Sequence, residues 1–173
     1  KGIECGCYHQ AAAWRALAEA YPPRVVRGKE HDVVECLAKG LEIDPSPEEW
    51  HHVAISMNRL DDQRVTVGGA SLSCTDCLIR GTQCGGHSRG RADCWMTLAT
   101  CAPVTVGGQA FSAVDCMVTG VEVFADMHNW CDLGNALLSE DPDNKAATAT
   151  VRGVEVTAAS CFCQALESVS TPA

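Results

Sequence analysis

A glycine followed eight residues later by a cysteine occurs four times in this chain, at Gly28/Cys36, Gly69/Cys77, Gly108/Cys116 and Gly153/Cys161. A valine stands two places before each glycine, at Val26, Val67, Val106 and Val151. Each of the four tryptophans (Trp14, Trp50, Trp95 and Trp130) lies upstream of one such block. A chain that repeats itself at this interval stacks a small unit on copies of itself, because one unit alone cannot bury its apolar face.

The residues around each glycine define the expected unit. Val65-Thr66-Val67 and Val104-Thr105-Val106 alternate with period two, which predicts a half-buried strand. The Gly-Gly or Arg-Gly pair then breaks the strand and permits positive φ. Asp32, Ser73, Ser112 and Thr157 follow as N-caps, with Glu35, Asp76, Asp115 and Ser160 three places on. The first three pairs have capping-box form. Gly40, Gly81 and Gly120 are expected as C′ glycines that end these helices, and Ala165 holds that place in the fourth copy. Short strands are expected at Gly2–Cys5, Gly40–Ile43, Gly81–Cys84 and Gly120–Val123. A helix bearing Trp-x-x-(Leu/Val)-(Ala/Gly) follows, as in Trp50/Val53/Ala54 and Trp130/Leu133/Gly134. That spacing puts the four tryptophans on a core stripe. The expected fold is therefore α+β. It has two homologous halves, 1–80 and 81–173, each of two strand–helix–strand–helix units of about 40 residues.

Twelve cysteines in 173 residues predict a disulfide framework and an oxidising, extracellular setting. The candidates are Cys5, Cys7, Cys36, Cys74, Cys77, Cys84, Cys94, Cys101, Cys116, Cys131, Cys161 and Cys163, with Cys5–Cys36 and Cys84–Cys116 as one symmetric pairing. Formal net charge is −9, and most of the excess acid lies in the second half. That balance gives no electrostatic footprint for nucleic acid or anionic membranes. No run approaches the ~18 apolar residues of a membrane helix. Lys1 at a unit boundary suggests a processed N-terminus.

Candidate chemistry is sparse. Gly86-His87-Ser88-Arg89-Gly90 has the G-x-S-x-G form of a nucleophile elbow, with Asp115 and His128 downstream; a small serine hydrolase using Ser88 is a further, less favoured alternative, because no buried strand precedes the motif. Cys5/Cys7/His9, Cys74/Cys77, Cys84/His87 and Cys161/Cys163 could offer soft metal ligands, yet only one true CxxC occurs, so a zinc-stabilised module is the alternative reading. His51-His52 reads as a solvent-facing pair. No cofactor is implied, and no catalytic residue is assigned.

Lys1-Gly2 at a processed-looking end, Cys5-x-Cys7 near it, the twelve cysteines and the internal duplication resemble small cysteine-rich secreted proteins of fungi, the host-directed effectors and killer-toxin-like proteins. The resemblance implies secretion, a role in virulence, and recognition of a host protein. The expectation is a non-enzymatic binding protein with a protein partner. The segments 44–49, 85–93 and 139–147 between repeated elements are the expected contact loops.

Overall fold

The computed structural model describes residues 7–20, 24–58, 64–85, 88–140 and 147–169. Among these, every copy of the repeat is a helix, a two-stranded antiparallel hairpin and a second helix. The first copy is α1 (Cys7–Glu19), β1 (Val25–Val26), β2 (Lys29–Glu30) and α2 (Val33–Ile43). The second is α3 (Pro47–Asn58), β3 (Val65–Val67), β4 (Ala70–Leu72) and α4 (Cys74–Gln83). The third is α5 (Arg89–Leu98), a 3-10 turn, β5 (Val104–Val106), β6 (Gln109–Phe111) and α6 (Ala113–Val123). The fourth is α7 (Met127–Glu140), β7 (Thr148–Val151), β8 (Val154–Thr157) and α8 (Ala158–Val169). Mixed helix and strand is what the patterning predicted; the order within the unit differs.

The glycine pair does not break a strand and lead into a helix. It turns one strand back onto another. Arg27-Gly28, Gly68-Gly69, Gly107-Gly108 and Arg152-Gly153 all have positive φ at both positions, the type I′ turn whose twist suits a two-residue hairpin loop. Val26 pairs with Lys29, Val67 with Ala70, Val106 with Gln109 and Val151 with Val154 across them. The outward strand of each hairpin (β2, β4, β6 and β8) is only two to four residues long, too short to stand out by periodicity.

The strand expected at the start of each unit is replaced by helix wherever it can be seen. Gly40, Gly81 and Gly120 lie inside α2, α4 and α6, which end instead at Asp44, Cys84 and Phe124 in extended conformation. These glycines are buried where the preceding helix comes close. A methyl at Gly40 would lie 3.7 Å from the carbonyl oxygen of Ala11, and one at Gly120 would lie 2.6 Å from Met96 Sδ. At Gly120 missing bulk, not backbone freedom, is the use, because it leaves room for Met96. The strand expected at Gly2–Cys5 falls outside the described residues.

The helix starts are as expected. Asp32 accepts from the Glu35 N–H at 2.7 Å. Ser73 with Asp76 and Ser112 with Asp115 form reciprocal capping boxes. Thr157 and Ser160 exchange the same pair of bonds, at 3.2 and 2.9 Å.

The helices of each copy pack on each other, and α2 and α6 also touch the helix and hairpin of the copy that follows. The chain divides into compact units Lys1–Cys84 and Gly85–Ala173. In the first, Leu37, Leu41, Val53, Met57, Val65 and Leu78 are fully buried. In the second, Val121, Leu133, Leu137 and Val151 form one cluster.

The disulfide framework is corrected by this packing. The side chains of ten cysteines are described, and none of them forms a disulfide. Cys36, Cys77, Cys116 and Cys161 are fully buried, one inside each helix pair. Each stands at N4 of its helix, and two face their own Trp-helix: Cys77 Sγ sits 3.9 Å from Met57 Sδ, and Cys161 Cβ lies against Gly134. Repetition gives each interior one such thiol and no equivalent to bond with. Cys74, Cys84, Cys94, Cys101, Cys131 and Cys163 likewise form no disulfide, so Cys84–Cys116 does not form. Cys5 lies outside the described residues, and the pairing Cys5–Cys36 with it.

Candidate functional site

The repeated thiols are core residues with suppressed chemistry. Burial pushes the Cys77 thiol up to about 12, with Cys74 and Asp76 adding to the shift. Burial likewise pushes Cys116 up to about 11 and raises Cys36 and Cys161. Groups held so far above neutral pH remain S–H, and the thiolate is the form that attacks carbon or binds metal. Among the described residues no group of three or more His, Cys, Asp and Glu side chains could hold a metal ion.

Ser88 is a helix cap. It precedes α5 with φ −133 and ψ 153, and its Oγ accepts from the Arg91 N–H at 3.2 Å. A nucleophile elbow needs a strand, a sharp turn and a helix. Here the preceding element is α4. Asp115, the downstream acid, is committed to the Ser112 capping box. The two histidines after Trp50 also have structural surroundings. His52 Nε2 lies 2.9 Å from Glu19 Oε1, tying α3 to α1. Beside it, Arg15 Nη1 meets Glu49 Oε1 at 2.7 Å, and the Glu49 side chain is only 4% exposed. Burial raises the Glu49 pKa, and Arg15 opposes that rise. Glu48-Glu49 reads as a simple acidic helix start; a buried carboxylate at Glu49 has no signal in local sequence.

The tryptophans divide into two kinds. Trp50 and Trp95 are each 5% exposed. The Arg80 guanidinium lies over the Trp50 ring at 5.7 Å, and Phe111 packs against Trp95 at 4.9 Å between centroids. Trp14 and Trp130 are half-buried and floor open grooves beneath their own hairpins. The Trp14 groove, about 630 Å³, is also lined by Leu17, Val26, Arg27, Lys29 and Lys39. The Trp130 groove is about 320 Å³, with Val151, Arg152, Val156 and Gln164. His31 and Val156 hold the same repeat position, three past the turn glycine, and His31 meets Trp14 edge-on at 5.2 Å. Trp50 and Trp95 thus lie in the core, and Trp14 and Trp130 at its edge.

The expected contact loops are mostly not loops. Residues 47–49 and 89–93 belong to the starts of α3 and α5, and 141–146 lie outside the described residues. What varies between copies on an open surface is the outward strand of each hairpin. It reads Lys29-Glu30, Ala70-Ser71, Gln109-Ala110 and Val154-Glu155, and all but Ala70 are exposed. The signal that could have found it is the Arg-Gly or Gly-Gly pair itself, a two-residue hairpin turn when strand-forming residues flank it.

Comparison with known proteins adds no relative. No family model matches the chain, and no curated protein or solved structure matches it.

Proposed function

We propose that this chain is a non-enzymatic protein-binding scaffold built by duplication of a helix–hairpin–helix unit, with the hairpins as its contact surface. One observation carries this. Residues repeated between copies are spent on turns, caps and cores, while the exposed hairpin strands change from copy to copy on that constant frame. Arrays of stacked helix pairs bind in this way, and an element inserted between the helices of each repeat falls on one face, often the binding face. The Trp-x-x-Leu-Gly start at Trp130–Gly134 is also the pattern of helix-pair arrays of tetratricopeptide type. A host protein as partner, the expectation that came with the resemblance to fungal effectors, is one case of this proposal. Secretion drew on the expected bridges and is not required by it.

Photo-crosslinking residues placed at Lys29, Ala70, Gln109 and Val154 test the assignment in an extract of the source cells. Several hairpin sites should capture the same protein, and excess unlabelled chain should displace it. Crosslinkers at Ala16 and Ser139, exposed on helices, serve as controls. Equal capture at hairpin and control sites would sink the assignment.

A further inference from the structure

In the first and third copies an apolar and an acidic residue stand near the end of the helix that packs on the copy after it. Thirteen places past the turn glycine stand Leu41, Thr82, Val121 and Leu166, and the next positions are Glu42, Gln83, Glu122 and Glu167. Leu41 is 1% exposed, Thr82 3% and Val121 0%, but Leu166 is 71% exposed. Val169, one turn along α8 on the same side, is 63% exposed. In the second unit the receiving surface can be read directly. Val121 joins Leu133, Leu137 and Val151 in one cluster. Beside it, the backbone N–H of Arg152 donates to Glu122 Oε1 at 2.7 Å, and its guanidinium donates to the Glu122 carbonyl at 3.1 Å.

The first copy carries described counterparts of three of these receiving residues. Leu17 holds the place of Leu133, Val26 that of Val151, and Arg27 that of Arg152 with almost the same turn φ, 49 against 50. Leu17 and Val26 are half-buried where Leu133 and Val151 are buried. They line the larger of the two tryptophan grooves, whose charged lining residues, Arg27, Lys29 and Lys39, are all basic.

We propose that this chain joins a second copy of itself head to tail, α8 of one copy stacking on the α1–β1 face of the next as α6 stacks on α7 and β7. Leu166 enters beside Leu17 and Val26, and Glu167 takes the place on Arg27 that Glu122 takes on Arg152. Charge agrees with shape at one pair, Glu167 against Arg27, because Lys29 and Lys39 already meet Glu35 and Glu42. The contact is heterologous: it uses different surfaces on the two partners, so association continues past the dimer unless it closes into a ring.

Sedimentation velocity on the intact chain, up to about 1 mM, tests this, since contacts with a Kd in that range become visible there. The wild type should form dimers and longer species as concentration rises. Leu166→Asp should weaken association about 10- to 100-fold, the worth of one buried leucine. Arg27→Glu should weaken it through repulsion from Glu167. Both residues sit on the surface, and circular dichroism checks that each variant folds. Mixed together, the two variants should form a dimer and stop there, because each retains the one face the other lacks. A wild type that stays monomeric throughout overturns the proposal. So does association that survives both substitutions, or a mixture that gives no dimer.

Discussion

Gly40→Ala should stabilise the protein. Gly40 lies inside α2 and is not among the glycines with positive φ. Alanine in a helix interior gains about 1 kcal/mol over glycine. A new methyl at this buried site adds up to about 0.8 kcal/mol. Its nearest neighbours would be the Ala11 carbonyl oxygen and Glu49 Oε2, both at 3.7 Å, and Trp14 Cβ at 3.9 Å, which are ordinary contacts. The methyl also crowds a buried carboxylate, so a net gain of about 1 kcal/mol is expected, and about 4–8 °C in the midpoint of a unit this size. The fourth copy already carries the substitution, as Ala165, 2% exposed. Gly134→Ala is the contrast. Its methyl would lie 2.9 Å from Phe162 Cε1 and 3.3 Å from Cys161 Cβ. Overpacking of that kind costs about 1–3 kcal/mol, which outweighs the helix gain. Urea unfolding followed by tryptophan fluorescence measures both. If Gly40→Ala destabilised by about 1–2 kcal/mol, the cost of forcing a side chain into left-handed backbone, the glycine would be a helix terminator and the packing described here would be wrong.

The Arg15–Glu49 pair gives a pH signature. Because the folded-state pKa of Glu49 is raised, its contribution to stability is full below the ordinary glutamate range and is lost as pH climbs through the raised value. Arg15→Met leaves that carboxylate buried without its cation, and should cost about 2 kcal/mol at pH 7 but much less at pH 4, read from urea midpoints at each pH. Trp50→Ala should cost roughly 3–5 kcal/mol and Trp130→Ala distinctly less, since only the first ring is fully enclosed; equal losses in thermal unfolding would contradict the groove at Trp130. Gly108→Ala places a side chain at φ +85 and should lower stability by about 1 kcal/mol or more, where Gly40→Ala raises it. A thiol reagent should label Cys101 and Cys163 in the folded protein and reach Cys36, Cys77, Cys116 and Cys161 only on unfolding; prompt labelling of the buried four would refute their enclosure.

Sequence revealed most where the signal was local. The caps at Asp32, Ser73, Ser112 and Thr157 act on an N–H three residues away, so spacing alone located them. The repeat was legible because the same eight-residue interval recurs. Two readings failed because one residue type serves two purposes. Glycine at Gly68-Gly69 supplies positive φ in a paired turn, whereas the lone glycine at Gly120 supplies room for the Met96 side chain. Cysteine failed in the same way: twelve of them in a short chain suggest bridges, yet at N4 of each helix the thiol is a small apolar side chain of suitable size. Ser88 resembled a nucleophile by motif and is a cap by context. The Arg15–Glu49 pair and the Trp14 groove join residues from different elements, and no periodicity announces such meetings.

Serial stacking has a mechanical consequence. Inside each unit the helices touch their own partner or the next copy, so a pull on the chain is borne by one interface after another. Each copy that opens frees about 40 residues, on the order of 140 Å of extended chain. Where successive copies open one after another, the length released under load comes in even steps.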